Sequence, residues 1–238
     1  MRVTLFDYGA GNLHSLAKAL DVPGVTLRVE SDPRLALDTD ALVLPGVGAF
    51  AQAAERLAPA REAVRDALRG GLPCLGICLG MQLLFDASEE GAEVPGLGVI
   101  PGQVTRLRAR RVPQIGWNQL EDVSAADPLF ARAPLDVAYF ANSYACRPAA
   151  DARATVTAWA THEGDTFAAA VRAGSTVGVQ FHPEKSSSAG VRFVRAWVDE
   201  AGRGSGVAAL ARQERHSDSP DRRPPTPEPL RSHRTESP

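Results

Sequence analysis

Residues 71–85, Gly-Leu-Pro-Cys-Leu-Gly-Ile-Cys-Leu-Gly-Met-Gln-Leu-Leu-Phe, are the stretch on which the fold of this chain depends. The apolar residues 72–75 predict a buried strand, the pattern Gly-Ile-Cys-Leu-Gly at 76–80 predicts a sharp turn, and the apolar residues after it are typical of a helix. Small residues two positions before and after Cys78 allow the strand and the helix to approach closely. We therefore expect the Cys78 thiol at the tip of the turn, where the amides of a helix N-terminus favour a thiolate.

Two other segments offer partners for this thiol, without which the pattern also fits an ordinary core cysteine. Residues 41–44 predict a short buried strand that ends in Pro-Gly-Val-Gly, a glycine-rich turn able to aim an amide at an oxyanion. Residues 177–181 predict a late strand that ends in His182-Pro-Glu184. Residues two apart in extended backbone point to the same side, so His182 can act as a base and Glu184 can orient it.

Composition limits the class of protein. The chain has 238 residues, of which 44% are hydrophobic and 23% are charged, and its formal net charge is -2. These values fit a globular domain and give no reason to expect nucleic acid or a membrane as a partner. The 3 cysteines cannot all pair, and we see no signal-peptide core and no membrane span. We expect a protein of the reducing cytoplasm.

The order of the predicted elements gives the fold class. Strands and helices alternate up to about residue 88, which predicts an α/β domain with a parallel sheet. Residues 96–175 contain short strand-like runs separated by glycine and proline, which predict antiparallel additions. We expect a mixed sheet with a parallel core and helices on both faces. The domain should span residues 1–202, and residues 203–238, rich in Pro, Arg and Ser, should form a disordered tail.

The three segments together resemble the class I glutamine amidotransferases, which have a flavodoxin-like fold. The motifs are Gly-Ile-Cys-Leu-Gly-Met-Gln, Pro-Gly-Val-Gly and Phe-His-Pro-Glu-Lys-Ser. The opening Asp-Tyr-Gly-Ala-Gly-Asn-Leu, with Gly-Trp-Asn and Tyr-Phe-Ala-Asn-Ser-Tyr, narrows the resemblance to the glutaminase subunits of imidazole glycerol phosphate synthase. The likeness covers roughly residues 1–200 and leaves the tail outside it.

The resemblance implies a hydrolysis of L-glutamine through a glutamyl thioester. Cys78 would attack the side-chain amide, His182 would act as base and then as acid toward ammonia, and Glu184 would support His182. The family uses no cofactor or metal for this step. The implied oxyanion donors are the amides of Leu79 and of Val47 or Gly48. The implied substrate-holding residues are Gln82 and Glu90.

The resemblance also implies a partner. In this family ammonia passes to a cyclase subunit with a (β/α)8 barrel, which forms imidazole glycerol phosphate and aminoimidazole carboxamide ribotide (AICAR) in histidine biosynthesis. Asn12, Trp117 and Lys185 match positions at or near the interface of this heterodimer. The chain departs from the family pattern at Asn142 and Gln114, where histidine is expected. Neither residue belongs to the triad, so these departures bear on docking or signalling between the subunits more than on the chemistry.

Three alternatives stay open at the level of sequence. The first is a glutaminase that serves pyridoxal phosphate, anthranilate or purine synthesis, against which the motif at residues 7–13 and Lys185 argue. The second is a cysteine-nucleophile α/β-hydrolase, whose acid normally precedes the histidine by many residues instead of following it. The third is a non-catalytic binding subunit, which an intact set of Cys78, His182 and Glu184 argues against.

Overall fold

The strands form where short apolar or alternating runs lie between turn-forming residues. The computed structural model describes residues 1–9, 13–91 and 94–217, without the side chains of residue 154 and residues 204–217. In these residues the strands are β1 (Arg2–Phe6), β2 (Thr26–Glu30), β3 (Ala41–Leu44), β4 (Cys74–Ile77), β5 (Phe85–Ser88), β6 (Val94–Pro95), β7 (Ile100–Arg106), β8 (Gln114–Gln119), β9 (Val137–Asn142), β10 (Tyr144–Pro148), β11 (Val156–His162), β12 (Asp165–Ala173) and β13 (Thr176–Val179).

The helices cover the sheet with apolar side chains. They are α1 (His14–Leu20), α2 (Phe50–Leu57), α3 (Arg61–Arg69), α4 (Leu79–Gln82), α5 (Pro128–Arg132) and α6 (Ser187–Ser217). A short 3-10 turn, Ala58–Ala60, separates α2 from α3 at Pro59, where the sequence predicts an interruption because proline lacks the amide that a helix interior needs. Among the described residues, none of the helices has the length and apolar character needed to cross a membrane.

The main sheet has seven strands in the order β11-β12-β13-β4-β3-β1-β2. All pairs from β2 to β13 are parallel, and the pairs of β12 with β13 and with β11 are antiparallel. Two smaller sheets accompany it, the four-stranded sheet β10-β7-β5-β6 and the antiparallel pair β8-β9. The predicted mixed sheet with a parallel core and antiparallel additions is confirmed.

Alternate side chains of the central strands enter two cores, one on each face of the sheet. Val43 and Leu75 pack on one face with α1, α5 and α6, where Trp197 is among the largest buried side chains. Leu42 and Leu44 pack on the other face with α2, α3 and α4. Because residues one apart in a strand point to opposite faces, each strand supplies both cores. The prediction of helices on both faces is therefore also confirmed.

This topology places three distant segments at one edge. Strands β3, β4 and β13 are adjacent and parallel, so their carboxyl ends lie side by side. The Pro-Gly-Val-Gly turn follows β3, Cys78 follows β4, and Gln180-Phe181-His182 follows β13. Ligands bind beyond the carboxyl ends of strands in open parallel sheets, so we expect a site at this edge.

Several boundaries differ from the sequence prediction. The prediction of a longer helix after Cys78 is wrong, since α4 is a single turn and β5 begins soon after it. One of the strand-like runs in residues 96–175, residues 137–144, divides between two sheets as β9 and β10. Helix α6 continues to Ser217, beyond the domain boundary predicted at 202, and residues 218–238 of the expected tail lie outside the described residues. The division into a domain and a tail stays a prediction.

Candidate active site

Cys78 occupies a strained elbow between β4 and α4. Its backbone angles are φ 47° and ψ -103°, a combination that non-glycine residues rarely adopt and that is typical of functional sites. The Cys78 amide donates a hydrogen bond of 2.6 Å to the carbonyl of Val179, which ties the elbow to the end of β13. The residue is 6% exposed. The structure therefore places the thiol at the tip of the turn, as the sequence predicts.

His182 and Glu184 form a buried pair beside the elbow. The distance between His182 Nδ1 and Glu184 Oε1 is 2.8 Å, and the two side chains are 3% and 8% exposed. The His182 amide donates to the carbonyl of Tyr139 on β9, at 2.8 Å. Glu184 lies in a 3-10 turn, Pro183–Lys185, that returns its carboxylate to the imidazole. The expected geometry of base and orienting acid is present.

The imidazole also lies close to Cys78. The Cys78 side chain is one of the two that raise the pKa of His182. The point where a Cβ at Gly46 would stand lies 2.8 Å from Cys78 Cβ and 2.9 Å from His182 Cε1. Because one point is this close to both residues, only glycine fits at position 46. The structure thus brings the elbow, the turn after β3 and the segment after β13 into direct contact.

The environment of His182 raises its pKa to about 9. Burial is the largest single influence and acts in the opposite direction, because it disfavours the imidazolium. Interactions with Cys78 and Glu184, both side chains that carry or can take a negative charge, outweigh burial and raise the pKa. An imidazolium beside a thiolate is the ion pair that a cysteine nucleophile needs at neutral pH.

This balance predicts how the pKa of His182 responds to mutation. We expect Cys78→Ala to lower the pKa of His182 from about 9, since it removes one of the partners that hold the imidazolium while burial remains. A pH titration of the imidazole resonances by NMR measures the effect. Glu184→Gln should also lower it. An unchanged pKa in the Cys78→Ala protein would show that sulfur and imidazole do not interact.

The expected oxyanion donors lie around the same point. Leu79 is the first residue of α4, so its amide has no acceptor within the helix. Val47 and Gly48 follow Gly46 directly, and Gly48 has φ 109°, a value that favours glycine. That the amides of Val47, Gly48 and Leu79 bind an oxyanion stays a prediction.

The two expected substrate-holding residues have different surroundings. Gln82 is buried, and its Nε2 donates to the carbonyl of Tyr144 at 3.1 Å and to Gln180 Oε1 at 3.2 Å. The Glu90 carboxylate accepts from the amide of Phe50 at 3.4 Å, where α2 begins after the glycine turn. Gln82 lies next to the elbow, and Glu90 lies on the side of the turn.

The expected interface residues are only partly described. Trp117 on β8 is 55% exposed and contacts Tyr139 across the strand pair. Ile115 and Val137, 68% and 40% exposed, belong to the same pair of strands. Lys185 is exposed beside Glu184. Asn12 lies outside the described residues.

The two departures from the family pattern face each other. Gln114 and Asn142 are opposite one another in the register of β8 and β9, and each is 4% exposed. Asn142 Nδ2 donates to the carbonyl of Tyr144 at 3.0 Å. Among the described residues, Gln114 Oε1 and Asn142 Oδ1 have no hydrogen-bond partner. Because the two residues are paired in the register, a substitution at one position changes the surroundings of the side chain at the other.

Sequence reasoning missed Gln180. This side chain is fully buried, and its Nε2 donates to Cys78 Sγ at 3.4 Å. The signal was available, because Gln180 is a polar residue at the end of an apolar strand and lies two positions before His182. Gln180 lies in a bend directly after β13, and its side chain reaches the sulfur from there.

Comparison with known proteins assigns the family. The family description "Glutamine amidotransferase class-I" matches residues 4–199. The chain is 41% identical over 207 residues to the imidazole glycerol phosphate synthase subunit HisH of Corynebacterium diphtheriae, covering 83% of this chain and 98% of that protein. It is 44% identical over 198 residues to the HisH subunit of Thermus thermophilus, covering 82% and 95%.

Solved structures agree on the fold. A crystal structure of a glutamine amidotransferase superposes with a TM-score of 0.64 at 21% identity, covering 84% of this chain and 98% of that chain. The structure of PurLQS from Thermotoga maritima gives a TM-score of 0.61 at 18% identity, covering 84% and 98%. Together with the family match, these similarities show that the chain belongs to the class I glutamine amidotransferase family.

Proposed function

We propose that the chain is the glutaminase subunit of an imidazole glycerol phosphate synthase. The observation that carries this proposal is the grouping of Cys78, His182 and Glu184 at the carboxyl edge of the parallel sheet. Family membership argues against the α/β-hydrolase alternative. The similarity to HisH subunits over most of the chain favours this synthase over the other amidotransferases.

The proposed reaction begins with attack of the Cys78 thiolate on the carboxamide carbon of glutamine. The carbonyl oxygen becomes an oxyanion, held by the amides of Leu79 and of Val47 or Gly48. The C–N bond then breaks, and His182 gives its proton to the departing nitrogen, which leaves as ammonia. Glu184 keeps the imidazole in position and stabilises its cation. Gln82 and Glu90 hold the substrate.

The second half of the reaction restores the enzyme. Water loses a proton to His182 and adds to the carbonyl carbon of the glutamyl thioester. The C–S bond breaks, glutamate leaves and the Cys78 thiolate forms again beside the imidazolium. Since the imidazole gives one proton to ammonia and then takes another from water, a pKa near the working pH serves both steps.

The partner we propose is the cyclase (β/α)8 barrel, which uses the ammonia. The pair of strands β8 and β9 presents an apolar face, with Ile115, Trp117 and Val137 exposed. Tyr139 on this face accepts a hydrogen bond from the His182 amide through its carbonyl oxygen. A partner bound there acts directly on the backbone that positions the base.

The test mixes the chain with a cyclase subunit and follows glutamate release, with and without the cyclase substrate. We expect slow release from the free chain and strong stimulation by the complete mixture. Release that the cyclase and its substrate leave unchanged would contradict the assignment to this synthase, while glutamine hydrolysis itself would still identify a glutaminase.

The exposed tryptophan gives a separate prediction. We expect Trp117→Ala to weaken binding of the cyclase subunit by about 30-fold or more, as loss of an aromatic anchor at an interface costs about 2 kcal/mol. Isothermal titration calorimetry measures the affinity. Leu35→Ala is the matched control, since Leu35 is also 55% exposed but lies after β2. Equal affinities of the two variants would exclude the proposed face.

A further inference from the structure

A chain of amide hydrogen bonds ends at the sulfur of Cys78. The carbonyl of Tyr144 accepts from Gln82 Nε2 at 3.1 Å, and the same nitrogen donates to Gln180 Oε1 at 3.2 Å. Gln180 Nε2 then donates to Cys78 Sγ at 3.4 Å. Gln82 is 5% exposed and Gln180 is fully buried. Both side chains are therefore held inside the protein, at the base of the elbow.

The orientation of the two amides in this series of hydrogen bonds is fixed by the carbonyl of Tyr144. A backbone carbonyl only accepts, so the atom of Gln82 that faces Tyr144 is the NH₂ group. This NH₂ group also faces Gln180, which must present its oxygen to it. The remaining atom of the Gln180 amide is then its NH₂ group, and it faces the sulfur. If the Gln180 amide were flipped, its NH₂ group would face the NH₂ group of Gln82, and its oxygen would face the lone pairs of the sulfur.

A hydrogen-bond donor aimed at sulfur favours the thiolate. An N–H donor stabilises an anionic acceptor much more strongly than a neutral one, and its effect increases inside a protein. The titratable groups around Cys78 are His182 with Glu184 behind it, and Cys146 on β10. Gln180 is uncharged, so it can stabilise the thiolate at every pH without taking a proton.

We propose that Gln180 is a positioning residue that orients the sulfur of Cys78 and stabilises its thiolate, and that Gln82 holds the Gln180 amide in the required direction. The inference rests on the proposed function only in naming Cys78 as the nucleophile. It also links two parts of the site, because Gln82 is both the proposed substrate-holding residue and the support of Gln180. Glutamine bound at Gln82 therefore acts on the reactivity of the sulfur through one amide.

The test is the rate of alkylation of Cys78 by iodoacetamide as a function of pH, without glutamine. Only the thiolate reacts, so the pH midpoint reports its formation. Burial raises the pKa of both Cys74 and Cys146 well above the usual range, so these thiols should not react with iodoacetamide. Peptide mapping by mass spectrometry assigns the modified cysteine.

We expect Gln180→Met, which keeps the length of the side chain and removes the donor, to move the midpoint upward. At pH values below both midpoints, alkylation should be about tenfold slower, the size of one hydrogen bond to a charged group. Gln82→Met should move the midpoint in the same direction by less, because the donor remains but is no longer held. Gln52→Met on the exposed side of α2 is the control and should leave the midpoint unchanged.

The outcomes separate the possibilities. A rate that falls equally at every pH, with a fixed midpoint, means a structural role for Gln180 and overturns the inference. If Gln180→Met does not fold, Gln82→Met decides, and an unshifted midpoint there overturns it as well. The assay needs no turnover, so a shifted midpoint in a chain that does not hydrolyse glutamine even with the cyclase subunit and its substrate refutes the proposed function and keeps the inference.

Discussion

Replacement of Cys78 by alanine is expected to lower the turnover of glutamine by about 10⁴-fold or more, because no other group can form the thioester. The effect should fall on kcat, since the substrate contacts proposed for Gln82 and Glu90 remain. Glutamate release by the purified variant, alone and with a cyclase subunit, measures it. The Cys78→Ala, His182→Ala double variant should be no slower than Cys78→Ala alone, as residues that act as a unit are not additive.

A second cysteine provides the control for this experiment. Cys74 lies in β4, fully buried, and takes no part in the site. Cys74→Ala should cost stability by removing a buried sulfur but should retain turnover. Glutamate release from Cys78→Ala at the wild-type rate would refute Cys78 as the nucleophile, whatever the behaviour of Cys74→Ala.

Substitution of Gly80 by alanine is expected to have the largest effect on stability. A Cβ at Gly80 would stand 2.0 Å from the carbonyl oxygen of Leu44 and 2.6 Å from its carbonyl carbon, so α4 and β3 would have to separate. These are backbone atoms of a central strand and cannot rotate away. We expect a loss of at least about 3 kcal/mol in the free energy of unfolding, or failure to fold, measured by urea denaturation.

The matched control is a glycine with room around it. Gly202 lies within α6, and the nearest atom to a Cβ there is Met1 Sδ at 3.5 Å. Gly202→Ala should stabilise the protein by about 0.5–1 kcal/mol, because alanine loses less conformational entropy in a helix. A Gly80→Ala protein as stable as the wild type would show that the elbow is packed less closely than described.

The sequence is informative about the site because its segments carry strong local signals. The glycines around Cys78 predict an elbow. In the structure a Cβ at Gly76 would collide with the backbone of Gly80, and a Cβ at Gly80 would collide with the backbone of Leu44 in β3. His182 and Glu184 were predicted to act together from the two-residue period of extended backbone, but the pair forms because the 3-10 turn Pro183–Lys185 returns the carboxylate to the imidazole. The proximity of Cys78 and His182 depends on β4 and β13 being neighbours, which the carboxyl-edge rule anticipates.

Other features depend on tertiary packing and were not predictable from local pattern. Helix α4 ends after one turn, although the following residues are apolar, because Phe85 is drawn into a second sheet with β7. Residues around Trp117 look like a turn because of Gly116, yet they form β8 by pairing with β9. Gln180 gives a local signal as a polar residue at a strand end, but its contact with Cys78 could not be predicted because such a residue has many possible partners.

The most direct test of the whole account is covalent trapping with a glutamine analogue that carries a diazoketone in place of the carboxamide. Attack by the nucleophile expels nitrogen and leaves a stable thioether on the sulfur, which peptide mass spectrometry can locate. The account predicts one adduct per chain, on Cys78, blocked by an excess of glutamine and accompanied by loss of glutamate release. An adduct on Cys74 or Cys146 instead, or none on Cys78 in a preparation that hydrolyses glutamine, would contradict it.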